Sequence, residues 1–290
     1  MRIGITGANG QLGCSLRKIA VEYPMHIVVF SDLPETDITD KTGIQAWAEA
    51  NDLDAIINCA AYTAVDKAES EPDAAWRINA LGPAVVGEVC AGKGMKLIHV
   101  STDYVFDGTA QTPYRETHPA HPAGIYGSTK LQGEQAVAES GCDALIVRTS
   151  WLYSEFGHNF VKTMLRLGTE KESLRVVDDQ TGSPTYATNL ARAILQLTDT
   201  GFSGCGIYHY CDSGITTWYD FTRMIFILTG NPIPVTPIGT ADYPTPAKRP
   251  AYSVLDTEKI RQAGIEVPDW VDSLKACLKE IQSSKEWEKA

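Results

Sequence analysis

Short apolar runs rich in β-branched residues alternate with helix-length amphipathic stretches through the first half of this chain. No other feature restricts the fold as strongly. "RIGIT" (2–6), "HIVVF" (26–30), "DAIINCA" (54–60), "KLIHVS" (96–101) and "DALIVRTS" (143–150) read as strands. Their apolar character is nearly continuous, as it is when helices cover both faces of a sheet. The intervening stretches at 10–22, 41–51, 72–92 and 126–140 read as helices. Strictly alternating strands and helices require right-handed crossovers and a parallel sheet, so a doubly wound α/β fold is expected.

Beyond residue 150 the pattern loosens. Helices are expected at 157–168, 185–198, 217–229 and 269–283, with short strands near 174–177 and 206–210. The proline-rich stretches "GNPIPVTPIG" and "YPTPAKRP" read as rigid loops that shape a pocket. The closing "SSKEWEKA" reads as a fraying helix end. The chain then divides into a dinucleotide-binding part, residues 1–152 completed by elements from about 174–206, and a smaller α/β substrate-binding lobe, mainly 153–290, interleaved with it.

The turn after the first strand sharpens this. "ITGANGQLG" places Gly7, Gly10 and Gly13 between strand and helix. Glycines there allow a tight turn, close approach of backbone to a pyrophosphate, and close packing of helix on strand. The helix start adds free N–H groups and the positive end of the helix dipole. A Rossmann-type sheet binding NADH or NADPH is the expectation. After the second strand, Asp32 in "SDLPETDITD" can accept the adenosine ribose 2′-OH, which favours NAD, and no arginine adjoins it for a 2′-phosphate. A plain turn residue is the alternative, so both cofactors stay open. Asp37 and Ile38 fall further round, near the adenine.

Bulk properties remove other classes. A net charge of −11, with no basic run, is opposite to the footprint of a nucleic-acid binder. No apolar stretch approaches a membrane span, and the start lacks the pattern of a signal peptide. The seven cysteines are scattered without a CxxC pair, which suits free thiols in a cytoplasmic protein.

Tyr126 and Lys130 in "IYGSTKLQGE" stand four apart, so they share one face of their helix. Such a pair arises readily by chance, and its weight comes from context. "HVSTDYVF" ends the fourth strand with Ser101, Thr102 and Asp103 at its carboxyl end, where ligands sit in such sheets. A free tyrosine has a pKa of about 10 and a nearby ammonium lowers it. Tyr126 could then protonate a carbonyl oxygen as hydride arrives, with Thr102 bonding the same oxygen.

The set "TGANGQLG", "STDYVFDG", "YGSTKLQGE" and "RTSWLY" resembles the extended short-chain dehydrogenase/reductase family. "AAYTAVDKAESEP", "NFVKTMLRL", "DDQTGSPT", "TTWYDF" and "YPTPAKRPAYSVLDTEK" narrow the likeness to its dTDP-4-dehydrorhamnose reductase branch, from residue 1 to about residue 280. The resemblance implies reduction of the 4-keto group of a dTDP-sugar with NADPH or NADH. It implies a catalytic set of Thr102, Tyr126 and Lys130, the last also holding the nicotinamide ribose. Cofactor contacts are implied at Gly10, Gln11, Leu12, Asp37, Ile38, Ala61, Tyr62 and Thr63, and sugar-nucleotide contacts at Asp103 and Trp151. Arg249 is a candidate for the diphosphate, because a guanidinium fork suits phosphate oxygens. Asp66, Lys67 and Glu69 read as capping residues at a helix start. Another nucleotide-sugar reductase or epimerase, or a non-catalytic regulatory subunit on the same fold, are the alternatives.

The chain also departs from the pattern. Some members bind magnesium through acids at a dimer contact, but here Ser15 and "TYATNLAR" occupy those regions. The carboxylates that hard cations prefer are missing, which argues against magnesium and leaves a homodimer open. "HPAHP" (118–122) lacks further ligands and reads as an exposed turn, and Tyr252 stands where an asparagine is common.

Overall fold

The computed structural model describes residues 1–284; the rest of "SSKEWEKA", residues 285–290, lies outside them. The strands are β1 (Arg2–Thr6), β2 (Ile27–Phe30), β3 (Ala55–Asn58), β4 (Lys96–Thr102), β5 (Ala144–Thr149), β6 (Leu152–Tyr153), β7 (Leu174–Val177), β8 (Thr181–Gly182), β9 (Thr185–Tyr186), β10 (Cys205–His209), β11 (Thr216–Thr217) and β12 (Val235–Ile238). The helices are α1 (Gln11–Ile19), α2 (Lys41–Ala50), α3 (Val65–Ala68), α4 (Pro72–Trp76), α5 (Gly82–Lys93), α6 (Ile125–Glu139), α7 (Phe160–Glu170), α8 (Ala187–Thr198), α9 (Trp218–Thr229), α10 (Glu258–Gln262) and α11 (Trp270–Ser283).

Six strands form one parallel sheet in the order β10-β5-β4-β3-β1-β2. Period-2 alternation sends successive side chains into two separate cores. Ile3, Ile5, Ile57, Ile98, Leu145 and Val147 meet α1 and α8 on one face. Ile56, Leu97, Ala144 and Ile146 meet α2, α5 and α6 on the other. Every residue of β3 and β5 is buried, which explains the unbroken apolar runs of the sequence. Strand order reverses between β1 and β3, so a crevice opens at their carboxyl ends.

Three features differ from expectation. The 72–92 helix is not continuous, because Arg77–Leu81 widens into a π turn in which the Gly82 N–H donates to the Arg77 carbonyl. The wider turn leaves Asn79 fully buried. Within "GNPIPVTPIG", residues 235–238 form β12, parallel to β7. Pro237 is tolerated because this two-stranded ribbon is all edge. The stretch 174–206 also splits: α8 covers α1, whereas β7 lies beside β12 and away from the main sheet.

The C-terminal lobe has its own apolar core, in which Tyr153, Leu165, Phe221, Ile225, Trp270 and Leu274 join α7, α9 and α11. All seven cysteines are free. Among the described residues no helix is long and apolar enough to cross a membrane. Ile5, fully buried in the first core, sets the scale of that packing. Ile5→Ala is expected to cost about 2–5 kcal/mol, read as a fall in the urea midpoint with an unchanged slope.

Candidate active site

At the β1–α1 turn, Gly7 has φ +65° and packs so closely that a Cβ would lie 2.5 Å from the Ala60 nitrogen. At Gly13 a Cβ would lie 2.4 Å from the Gly7 carbonyl oxygen. These contacts seat α1 directly on its strand. Its N-cap is Gly10, and no side chain among the described residues caps it, so its first-turn amides stay available to an anion. A dinucleotide pyrophosphate fits this cradle.

The neighbouring residues divide by what they touch. Asp32 accepts from the Asn9 N–H (2.8 Å) and the Leu33 N–H (2.9 Å), tying the glycine loop to the end of β2. Gln11 turns its side chain toward the second lobe, where its Oε1 accepts from Ser154 Oγ and Asn159 Nδ2, both at 3.0 Å. Leu12 and Ile38 are buried in the two cores, so only their backbones could meet a ligand. Asp37 accepts from the Thr39 N–H and from Arg77 Nη2 (2.9 Å), and the Thr39 amide heads the effects that hold its carboxyl below the usual range. Ala61–Thr63 follow β3 in a stretch without regular secondary structure. There Asn79 grips Tyr62 by both backbone groups, accepting from its N–H at 2.9 Å and donating to its carbonyl at 3.0 Å. Sequence reasoning missed Asn79; the available signal was one amide set between Ile78 and Ala80 in a helical run.

Thr102, Asp103, Tyr126 and Lys130 come together where β4 ends beside α6. Lys130 is 2% exposed and its Nζ donates to the Val100 carbonyl at 2.7 Å. Burial brings its pKa down to about 8. Thr102 donates to Asp103 Oδ1 (2.9 Å) while accepting from the Tyr104 N–H (3.2 Å). The ring of Tyr104 meets Tyr126 edge-on at 5.4 Å. Glu69 Oε1 accepts from the Ile125 N–H at 2.9 Å, so this residue caps the helix that carries Tyr126 and not its own.

Electrostatics correct one expectation. Lys130 does not bring the Tyr126 phenol down; burial pushes it up to about 12, the nearby Thr102 hydroxyl opposes the rise, and the charge of Asp103 adds to it. The ammonium is engaged on Val100, and the phenol stays protonated at neutral pH. Asp103 is 3% exposed, and burial pushes it up to about 6 against the hydrogen bond from Thr102.

The remaining candidates lie in the second lobe. Trp151 adopts φ +46° and stacks on Trp218 at 3.5 Å with 10° between planes, so protein covers one indole face. Trp218 was not singled out from sequence. Arg249 is paired with Asp66, Nη2 to Oδ2 at 2.6 Å, and Asp66 also accepts from the Ala247 N–H. Asp66 is therefore a docking point for the "AKRP" loop, where a helix cap was expected. His118 of "HPAHP" closes a turn by accepting from the Arg115 N–H. Ser15 is buried with its hydroxyl on the Gln11 carbonyl, and Lys18 Nζ bridges Glu155 and Glu280 at 2.7 Å each. Among the described residues no three His, Cys, Asp or Glu side chains converge as a metal ion requires.

A family model described as "RmlD substrate binding domain" matches residues 1–283. The chain belongs to this family. A dTDP-4-dehydrorhamnose reductase of Aggregatibacter actinomycetemcomitans is 43% identical over 94% of this chain and 97% of that protein. The crystal structure of a dTDP-4-dehydrorhamnose reductase from Clostridium acetobutylicum has a TM-score of 0.93 at 42% identity, covering 97% of this chain and 100% of that one. The Bacillus anthracis dTDP-4-dehydrorhamnose reductase, solved in complex with NADP, has a TM-score of 0.92 at 40% identity, covering 96% and 99%. For this family member the glycine turn and the β4–α6 junction lie on the same side of the sheet, at its carboxyl ends.

Asp103 has a measurable consequence. Its folded-state pKa of about 6 exceeds the unfolded value of about 3.9, so the folded protein holds the proton more tightly. Stability therefore falls as pH rises through that window and stays lower above it. Asp103→Asn keeps an acceptor for Thr102 and removes the buried charge. It is expected to stabilise the protein at pH 7 by on the order of 2 kcal/mol, the gain fading toward pH 4, as urea denaturation at both pH values would show.

Proposed function

We propose that this protein reduces the 4-keto group of dTDP-4-dehydro-β-L-rhamnose to dTDP-β-L-rhamnose with NADPH or NADH, the last step in making that nucleotide sugar. The observation that carries this reading is the meeting of Thr102, Tyr126 and Lys130 at the end of β4, on the side of the sheet where the glycine turn opens. Family membership and the names of the relatives support the choice of sugar.

A reduced nicotinamide, when bound, supplies the hydride to C4. Tyr126 then gives its phenol proton to the carbonyl oxygen. Its raised pKa suits a donor, because the proton stays on the phenol until an alkoxide begins to form. Thr102 turns its hydroxyl from Asp103 Oδ1 to the same oxygen and fixes its position. The phenolate left behind takes a proton back from water, while Lys130, one turn along α6 with its ammonium held on Val100, would hold the nicotinamide ribose. Hydride at carbon and proton at oxygen complete the alcohol.

Gly7, Gly10 and Gly13, with the Gln11–Gly13 amides, would hold the pyrophosphate. Asp32 would face the adenosine ribose, Asp37 and Ile38 the adenine, and Ala61–Thr63 the stretch between. Trp151 and Asp103 would meet the sugar nucleotide, with Arg249 reaching its diphosphate by exchanging Asp66. In this reading residues 1–152, with β10 and α8, form the cofactor part and the rest mainly the substrate lobe. The protein acts in the cytoplasm, without nucleic acid or magnesium, and a homodimer is compatible with it.

Protein mixed with dTDP-4-dehydro-β-L-rhamnose and either cofactor should lose reduced-nicotinamide absorbance. Tyr126→Phe should slow that loss by about 10²–10⁴-fold with little change in KM, and Thr102→Val should slow it less. Full turnover in Tyr126→Phe would remove the phenol from the mechanism.

A further inference from the structure

Glu134 stands one turn beyond Lys130 on the same face of α6, and both side chains are buried, at 3% and 2% exposure. Yet the two are not hydrogen-bonded to each other. Lys130 reaches up to Val100, and Glu134 is gripped from β5 by Arg148, Nε to Oε1 at 2.9 Å and Nη2 to Oε2 at 2.6 Å. Arg148 is itself fixed, with its guanidinium over the Phe106 ring at 5.1 Å and its Nη1 3.4 Å from His209 Nε2. His209 in turn meets the Tyr114 carbonyl through Nδ1.

The other titratable groups facing Lys130 are neutral. Burial holds His99 on β4 well below its ordinary value and pushes the Cys59 thiol after β3 upward. His209, beyond Arg148, is held down to about 3 by burial. The charges in this part of the interior are therefore the Lys130 ammonium, the Glu134 carboxylate and the Arg148 guanidinium. Without Glu134, the Lys130 ammonium and the Arg148 guanidinium would each be left buried without a carboxylate.

A direct Lys130–Glu134 contact would draw the ammonium down α6, away from Tyr126. The bidentate grip of Arg148 prevents this, keeping the carboxylate near enough to act through its field but too constrained to capture Nζ. We propose that Glu134 is a positioning residue of the active site: it keeps Lys130 in its ammonium form from a distance, and Arg148 is the clamp that sets that distance. This rests on the reading of Tyr126 and Lys130 as the reacting pair. A purely structural ion pair, joining α6 to β5, is the competing account. The two differ in what they do to the titration of Lys130.

The test compares wild type with Glu134→Gln, Glu134→Asp and the double variant Glu134→Gln/Arg148→Met, which removes both members of the buried Arg148–Glu134 pair together and so leaves no unpartnered Arg148 to unfold the chain. Turnover is followed from about pH 6 to about pH 10, and the Lys130 side chain is titrated by NMR of the lysine-labelled full chain, its signal assigned by loss in Lys130→Met. In wild type, kcat should fall above about pH 8 as Lys130 loses its proton. In Glu134→Gln and in the double variant both that limb and the NMR midpoint should move down by about one pH unit or more, with KM little changed, and Glu134→Asp should recover part of the shift. An NMR midpoint that stays at the wild-type value in the double variant overturns the proposal. If the midpoint shifts but no variant, nor wild type, reduces the dTDP-sugar, the electrostatic role of Glu134 stands and the functional reading falls instead.

Discussion

Helices cover both faces of the parallel sheet, and every other feature of the molecule follows from that double burial. A side chain on a central strand has no water to turn to, so a polar group there is costly unless it finds a partner inside the protein, and on β4 only His99 Nε2 and Ser101 Oγ go without one among the described residues. The interior shows how this is met. Thr6 donates to Asn58 (2.7 Å), Asn58 bonds His99 across β3 and β4 (3.1 Å), and Arg148 on β5 takes Glu134 from α6. The ends of the strands are the remaining place where polar groups can be left partly free. The glycine turn lies at one such end and the Thr102–Tyr126 junction at another.

Tyr126, Lys130 and Asp103 are all shifted in the direction that disfavours charge, because desolvation is the largest effect on each. That common cause produces complementary chemistry. The phenol keeps its proton, the ammonium is held less tightly than in water, and the carboxyl titrates near neutrality. A site that must hand over one proton in step with a hydride gains from a donor that does not ionise early. The buried carboxyl beside it carries a cost in stability, which is a common feature of sites built for chemistry and not for rigidity.

How much of this could be read from the chain depends on the range of the forces involved. β1, β4 and β5 match their apolar runs closely, because two-sided burial leaves a local signature. The juxtaposition of Thr102 with Tyr126 was legible too, since strand ends and helix faces follow from period. The break in the 72–92 helix was not legible. Asn79 turns inward to hold Tyr62, a partner 17 residues away that no helical period reveals. β12 was hidden by its prolines, which mark a loop unless an edge partner such as β7 is known. The Asp66–Arg249 pair spans 183 residues, and either side chain alone reads as a surface charge. The sign of the Tyr126 shift was misjudged for a related reason: sequence spacing gives the nearness of a lysine but not the depth of burial.

The two lobes have separate apolar cores, and several of the links between them are polar and directional. Lys18 on α1 reaches Glu155 after β6 and Glu280 on α11; Asp66 on α3 holds the loop that carries Arg249. Gln11 is the most telling of these. Its backbone belongs to the first turn of α1, where a pyrophosphate would sit, while its side chain accepts from Ser154 and Asn159 of the other lobe. Asn159 also caps α7 through the Lys162 N–H, so a shift of the glycine turn would be felt at the start of a second-lobe helix. Apolar packing could let the lobes slide, but hydrogen bonds at fixed lengths and angles do not. Trp151, two residues beyond β5, is tied down by bonds of its own, its carbonyl accepting from the Thr185 N–H and the neighbouring Ser150 hydroxyl donating to the Ser183 carbonyl, so the Gln11 links add to a junction already fixed at the strand end.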